Sequence, residues 1–231
     1  MLWVLSGLNL EAQTGGSGYV DMGSNNVSNG FYLKTAALVQ YQFGKNSVAT
    51  GLQLDLKSNN STVFSGYSIR GSRDLQVKGF PFELQGFGIW TPYAGLLRET
   101  NWGMSLSIRQ NHFSIQLGTG FRSIAFTQKS IDTNMYEKGE RIRENWNLLY
   151  SAGYHLKPLE SHWNIGLTVT NLDHFLVNQE TNPIFNLRGH YRISLPLDLF
   201  MEAWYKSAGA FNLSVNYFGF FIRTGIVWEI Q

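Results

Sequence analysis

The chain has 231 residues, of which 43% are hydrophobic, 15% aromatic and only 15% charged, with a formal net charge of +2 and no cysteine. An average soluble domain carries about 25% charged residues, so a chain this poor in charge does not read as an ordinary water-facing domain. The small, scattered positive charge excludes the basic footprint of a nucleic-acid binder. The missing cysteines exclude a disulfide framework and thiolate metal sites, and polar residues break every apolar stretch short of the ~18 needed for a membrane-crossing helix.

In chain order, Met1 to Leu10 (MLWVLSGLNL) is apolar and runs into Glu11-Ala12-Gln13. That junction reads as the end of a truncated secretory signal cleaved after Ala12, which makes the protein an exported one. Residues 13–231 are then a single domain, since no shift of composition marks a boundary.

From Phe31 the dominant signal is period-two alternation in segments of about ten residues separated by turn residues, the pattern of strands with one apolar face. Strands are expected at 31–43, 48–57, 62–70 and 75–90, followed by a long link from Thr91 to Asn101. Trp102, Met104, Leu106 and Ile108 then share one face against Gly103, Ser105, Ser107 and Arg109. A turn at Gln110 to His112 starts the mirror segment, with Phe113, Ile115, Leu117, Thr119 and Phe121 opposed to Ser114, Gln116, Gly118, Gly120 and Arg122.

After the link Thr127 to Asn145 come strands at 146–156 and 163–169, joined by a turn at Pro158 to His162. The link Asp173 to Ile184 leads to strands at 185–195, 199–206, 211–217 and 220–230, with turns at 196–198 and Gly219. Ten residues tilted by ~45° cross a bilayer, and aromatic residues cap the apolar faces, as at Trp102, Trp146, Trp163 and Trp228. These features together specify an all-β, antiparallel up-and-down transmembrane barrel of about twelve strands, between ten and fourteen, in the outer membrane of a Gram-negative bacterium. With a turn at Gly219, this register leaves the C-terminus on the side of the long links.

Asn164-Ile165-Gly166-Leu167-Thr168-Val169-Thr170-Asn171-Leu172, then Asn182-Pro183, Gly189-His190-Tyr191-Arg192, Leu199 and Phe211-Asn212-Leu213-Ser214-Val215-Asn216-Tyr217 follow one another in the C-terminal half. This order resembles the PorP/SprF family of outer-membrane barrels associated with the type IX secretion system. The resemblance implies a structural or scaffold barrel whose partners are outer-membrane lipid and proteins of a secretion or envelope-assembly machinery. A passive diffusion channel or small-molecule transporter is the first alternative, and a lipid-acting barrel enzyme the least favoured.

The charged residues converge on the inner face. Arg188, His190 and Arg192 alternate along one strand, Arg109, Arg122 and Arg223 join them in the lumen, and Asp55, Glu83, Glu202 and Glu229 answer from across the wall. A ring of cations would prefer anions; the mixed signs favour a network of satisfied ion pairs instead. His112 and Ser114 share a face, but the pair points to the lumen and lacks an orienting third group, so no catalytic site is expected. The five histidines, 112, 155, 162, 174 and 190, show no ligand spacing, and the charged stretch Lys129 to Glu144 has no calcium-loop pattern. Neither metal nor cofactor is expected.

Overall fold

The computed structural model describes residues 12–25, 31–56, 64–93, 97–126, 141–159, 161–178, 180–194, 196–206 and 218–230. They form twelve strands: β1 (Ala12–Asn25), β2 (Phe31–Phe43), β3 (Asn46–Asp55), β4 (Phe64–Val77), β5 (Phe80–Tyr93), β6 (Leu97–Gln110), β7 (Phe113–Phe126), β8 (Arg141–His155), β9 (Trp163–Thr170), β10 (Ile184–Ser194), β11 (Leu197–Lys206) and β12 (Phe218–Ile230). Each pairs antiparallel with its neighbours in sequence, and β1 closes the barrel on β12 from Thr14↔Ile230 to Asn25↔Phe218. Closure satisfies every strand edge, the condition lipid imposes because it offers no hydrogen bonds.

The turns separate the two ends of the barrel. Gly44-Lys45, Lys78-Gly79 and Asn111-His112 are two-residue hairpins. Lys78 and Gly79 both have positive φ, 51° and 84°, the backbone of a type I′ turn whose twist matches that of the flanking strands. These two-residue turns lie at one end, together with the start of β1 and the end of β12. The strand ends that flank 26–30, 57–63, 94–96, 127–140, 171–183 and 207–217 lie at the other. In outer-membrane barrels the short-turn end is periplasmic.

This arrangement corrects the strand register expected from sequence at three places. Residues 12–25 form a strand ahead of the twelve expected from Phe31 onward, in the place where an added strand at 14–24 would resolve the position of the C-terminus. Gly219 is a residue inside β12 rather than a turn, and 211–217 lies outside the described residues, as do residues 1–11 and the charged stretch from 127 to 140. The chain turns at Lys78-Gly79 within the expected 75–90 strand, and β5 and β6 consume most of the expected link Thr91 to Asn101. With β1 added and no turn at Gly219, twelve strands stand among the described residues, and β12 ends at the short-turn end.

Outward-facing residues make the lipid surface. Trp102, Met104, Leu106, Phe113, Ile115, Leu117, Trp146 and Leu148 are 43–59% exposed, an area of bare apolar surface that water would not tolerate. Two aromatic girdles bound it. Near the long-link end Trp102, Phe121 and Trp146 pack with ring centroids 5.3–5.4 Å apart, and Tyr67–Trp90 and Phe185–Tyr205 continue the ring. Near the short turns Phe113–Tyr154 and His162–Tyr191 form the second. Such paired belts mark the two interfaces of a membrane.

Candidate functional site: a lumenal hairpin and its vestibule

The feature that organises the lumen begins where β9 stops short at Thr170. Its neighbour β8 continues past that level, and the side chain of Asn171 stands in for the missing strand. Its Oδ1 accepts from the Tyr150 amide at 2.9 Å and its Nδ2 donates to the Leu148 carbonyl at 2.7 Å. The Leu172 amide donates to Thr170 Oγ1 at 3.1 Å, and the chain leaves the wall for the interior.

Residues 171–178 form a small hairpin with its own bonds. Leu172 and Val177 bridge, the Asp173 amide donates to the Leu176 carbonyl at 2.8 Å, and the Asn178 amide donates to the Asn171 carbonyl at 2.7 Å. His174 and Phe175 sit at the tip. The link expected from Asp173 to Ile184 as an external loop is therefore an internal element at its start.

The hairpin spans the lumen, because β9 and β10 lie six strands from β3 and β4 in the barrel order. Phe175 (2% exposed) packs with Tyr19, Ala36, Leu38 and Phe200, and the missing side chains of Gly51 and Gly66 leave room for its ring. Leu172 and Val177 pack against Phe87, Ile89 and Leu149; Leu176 packs against Ile184, Trp204 and Phe221. Apolar residues that point inward from the wall thus find apolar partners on the hairpin, and the two sets together remove each other from water.

Electrostatics fix the tip. Arg223 on β12, 3% exposed, holds Asp21 of β1 through Nε and Nη2 at 2.7 and 3.1 Å. It holds Asp173 of the hairpin through Nη1 and Nη2 at 2.9 and 2.8 Å. Glu202 on β11 lies 3.6 Å from the same guanidinium, whose face covers the Tyr19 ring at 4.1 Å. Arg70 on β4 donates to the Asp173 carbonyl at 2.9 Å. Burial alone would raise the Asp173 carboxyl, but the charge and hydrogen bonds of Arg223 outweigh it and hold the group well below its ordinary range. Burial first, and then the nearby Arg70, push His174 down to about 3, so its ring is neutral at physiological pH.

Toward the short turns the lumen opens into a cavity of about 490 Å³ whose floor is Tyr19, Arg70, His174, Arg188, Glu202 and Arg223. Its walls carry amides and hydroxyls, among them Gln13, Gln40, Gln42, Ser47, Ser72 and Gln85. Arg109, near the rim, pairs with Glu83 at 3.5 Å, and Arg188 pairs with Glu202 at 3.0 Å.

Of the residues expected to line the lumen, Arg109, Arg188, Glu202 and Arg223 border this vestibule. Arg122 lies beyond the hairpin, fully buried against Glu99 with Nε–Oε1 at 2.8 Å. His190 Nε2 is 3.2 Å from the Ser161 carbonyl, and Arg192 bonds Asp198 at 3.0 Å near the periplasmic end. Asp55 sits opposite Lys34 in the ladder rather than near the arginines. His112 Nδ1 lies 2.8 Å from the His155 carbonyl, which ties the ring to the turn instead of to Ser114. Asp21, Tyr19, Arg70 and the hairpin itself were not singled out by sequence. The run Phe175-Leu176-Val177 inside a link is the unused signal that could have found the hairpin, since three consecutive apolar residues in a loop need cover.

A closed antiparallel barrel with a lipid-facing belt, two aromatic girdles and a polar interior is a transmembrane β-barrel of the bacterial outer membrane. Solved structures share this fold. The KdgM porin superposes with a TM-score of 0.52 at 10% identity, covering 94% of this chain and 99% of that one. The COG4313 outer membrane channel from Pseudomonas putida F1 superposes with a TM-score of 0.56 at 12% identity, covering 97% of each chain. No protein-family model and no curated protein matches the sequence.

Proposed function

We propose that the protein is a passive outer-membrane channel for small, uncharged or zwitterionic hydrophilic solutes. The observation that carries this reading is the vestibule, a polar cavity of about 490 Å³ that enters the barrel from the short-turn end. A barrel that only anchored other proteins would have no need of a hydrated, amide- and hydroxyl-lined entrance. Three of the four arginines on its walls are answered by carboxylates, Arg109 by Glu83, Arg188 by Glu202 and Arg223 by Asp21 and Asp173, while Arg70 meets the Asp173 carbonyl and Glu229 adds a further negative charge. Single-sign rings confer ion selectivity, and here the signs alternate, so a solute gains nothing from a net charge. The fold it shares with a porin and an outer-membrane channel is in keeping with this reading.

Reconstitution in planar bilayers tests it: discrete current steps are expected, with anion and cation permeabilities near equality. Silence at all voltages, persisting after residues 172–177 are replaced by a short glycine-serine linker, would remove the reading.

A second reading, a scaffold barrel of a secretion or envelope assembly, rests on the resemblance of Asn164–Leu172 and Gly189–Arg192 to the PorP/SprF pattern and on the filled half of the lumen. A stable complex with secretion-system proteins, recovered from native membranes of a protein that carries no current, would favour it.

A further inference from the structure

We infer that Arg223 positions a displaceable plug: the Asn171–Asn178 hairpin closes the lumen in the state seen here and leaves it when the Asp173–Arg223 contact breaks. The inference rests on the channel reading above and deepens it.

Three observations separate a displaceable plug from a permanent filling. First, the hairpin is folded on itself. Its backbone bonds run from Asp173 to Leu176 and from Asn178 to Asn171, and near its base Asn171 ties it to β8 and Asn178 Nδ2 donates to the Asn182 carbonyl. Across the lumen its tip is held by wall side chains, Arg223 on the Asp173 carboxylate and Arg70 on the Asp173 carbonyl. A unit with internal bonds moves without losing them.

Second, the tip is seated at the edge of open space. Tyr19, Arg70, His174 and Arg223 all border the vestibule cavity, so the polar groups around the tip face that cavity on the short-turn side.

Third, the seat is a single cluster. Arg223 is already held by Asp21 and adjoins Glu202, both on the wall, so it stays in place when Asp173 departs. The guanidinium is therefore a fixed anchor, and Asp173 is the moving half of the latch. Closed and open forms then differ by one bidentate ion pair, the Arg70 hydrogen bond to the Asp173 carbonyl and the apolar contacts of Leu172, Phe175, Leu176 and Val177.

The chain offers a direct test because it has no cysteine. A Cβ built at Gly66 on β4 lies 3.8 Å from Phe175 Cβ, within the ~3.5–4.5 Å that a disulfide requires. The paired variant Gly66→Cys with Phe175→Cys is expected to oxidise in the folded barrel, and the bridged form to pass less current than the reduced form of the same variant, which lacks the Phe175 ring equally. Reduction frees the hairpin while the Asp173–Arg223 contact stays in both forms; a rise of about tenfold in open probability, the population change expected on losing one charge-assisted contact, is expected of Asp173→Asn.

Asp173→Asn, which keeps the shape of the tip, is expected to raise open probability in the same direction without any cysteine. Free thiols at both positions in the folded barrel under oxidising conditions would overturn the placement of the hairpin. Equal currents from bridged and reduced forms of a conducting protein would overturn the plug and leave the channel reading standing. Silence of every form, the glycine-serine replacement included, would overturn the channel reading and this one with it.

Discussion

The two halves of the lumen are built from the same strands and behave oppositely. Below the hairpin the lining from β1 to β5 is rich in Gln, Ser and Gly, with Arg70 and Glu83, around a cavity; above it the inward positions of β5, β8, β11 and β12 include Ile89, Leu149, Trp204 and Phe221, and these are buried. Wall alternation alone does not decide whether a barrel is open. What decides it is whether an element enters to meet the inward apolar residues, and here one hairpin of eight residues does. The buried arginine at the boundary joins the halves, since it belongs to the floor of one and the latch of the other.

The largest expected effect on that boundary comes from Arg223→Met. It strands Asp21 and Asp173 as buried carboxylates at 5% and 8% exposure, while Glu202 keeps Arg188, and removing one partner of a buried charge cluster costs about 3–5 kcal/mol. Urea unfolding in detergent, followed by heat-modifiable gel migration, should show a loss of that order. A change below ~1 kcal/mol would mean that the cluster is hydrated and the boundary open.

Phe175→Ala should follow with about 3 kcal/mol, at the low end for a buried phenylalanine because the tip can relax into the space. Its loss connects the vestibule with the upper half, so an increase in current should accompany the loss of stability. Gly51→Ala should cost less, about 1–2 kcal/mol. The added Cβ meets Leu38 Cγ at 2.9 Å and Phe175 Cζ at 3.0 Å, whereas the matching change at Gly66 meets nothing closer than 3.4 Å and serves as the neutral comparison. Equal stability losses at 51 and 66 would show that Phe175 does not occupy this seat.

The outer surface was legible because its order is local. Trp102 to Ile108 and Phe113 to Phe121 alternate without interruption, and their pairing across Asn111-His112 follows from the turn. β1 was not legible for a physical reason: its outward positions include Gly16 and Gly18, and the Trp228 ring of β12 lies over them. Its inward positions include Tyr19, which packs against Phe200 and the hairpin tip. Part of the apolar cover of β1 is thus supplied by another strand, and only Val20 and Met22 mark its own outward face against Ser17 and Asp21 inward, so its alternation is faint.

β12 was cut at Gly219 because a glycine between aromatic runs reads as a turn, while in the barrel Phe221 faces inward to meet Leu176 and Trp204. The latch is still less local, since Asp21 and Arg223 are 202 residues apart and meet only because the barrel closes. Arg223 was recognised as a lumen residue from alternation; its partners required the closure.

The smallest expected effect is one of pH, and it distinguishes a plug held by fixed charges from one held by a titrating histidine. Facing the tip are Tyr19 and Asp21 from β1, Arg70 from β4, Arg188 from β10, Glu202 from β11 and Arg223 from β12. His174 is depressed to about 3, so it stays neutral as pH falls from 8 to 6 and adds no cation beside Arg70. Asp173 is lowered from 3.8, so the stability it contributes is complete above that value and is lost only as pH falls through its lower folded value. Open probability in planar bilayers is therefore expected to stay constant between pH 8 and 6. Were His174 to titrate at its ordinary 6.5, protonation would place a third cation against Arg70 and Arg223 and drive the tip from its seat. A rise in current across that interval would show this, and would make the histidine, not the arginine, the residue that sets the closed state.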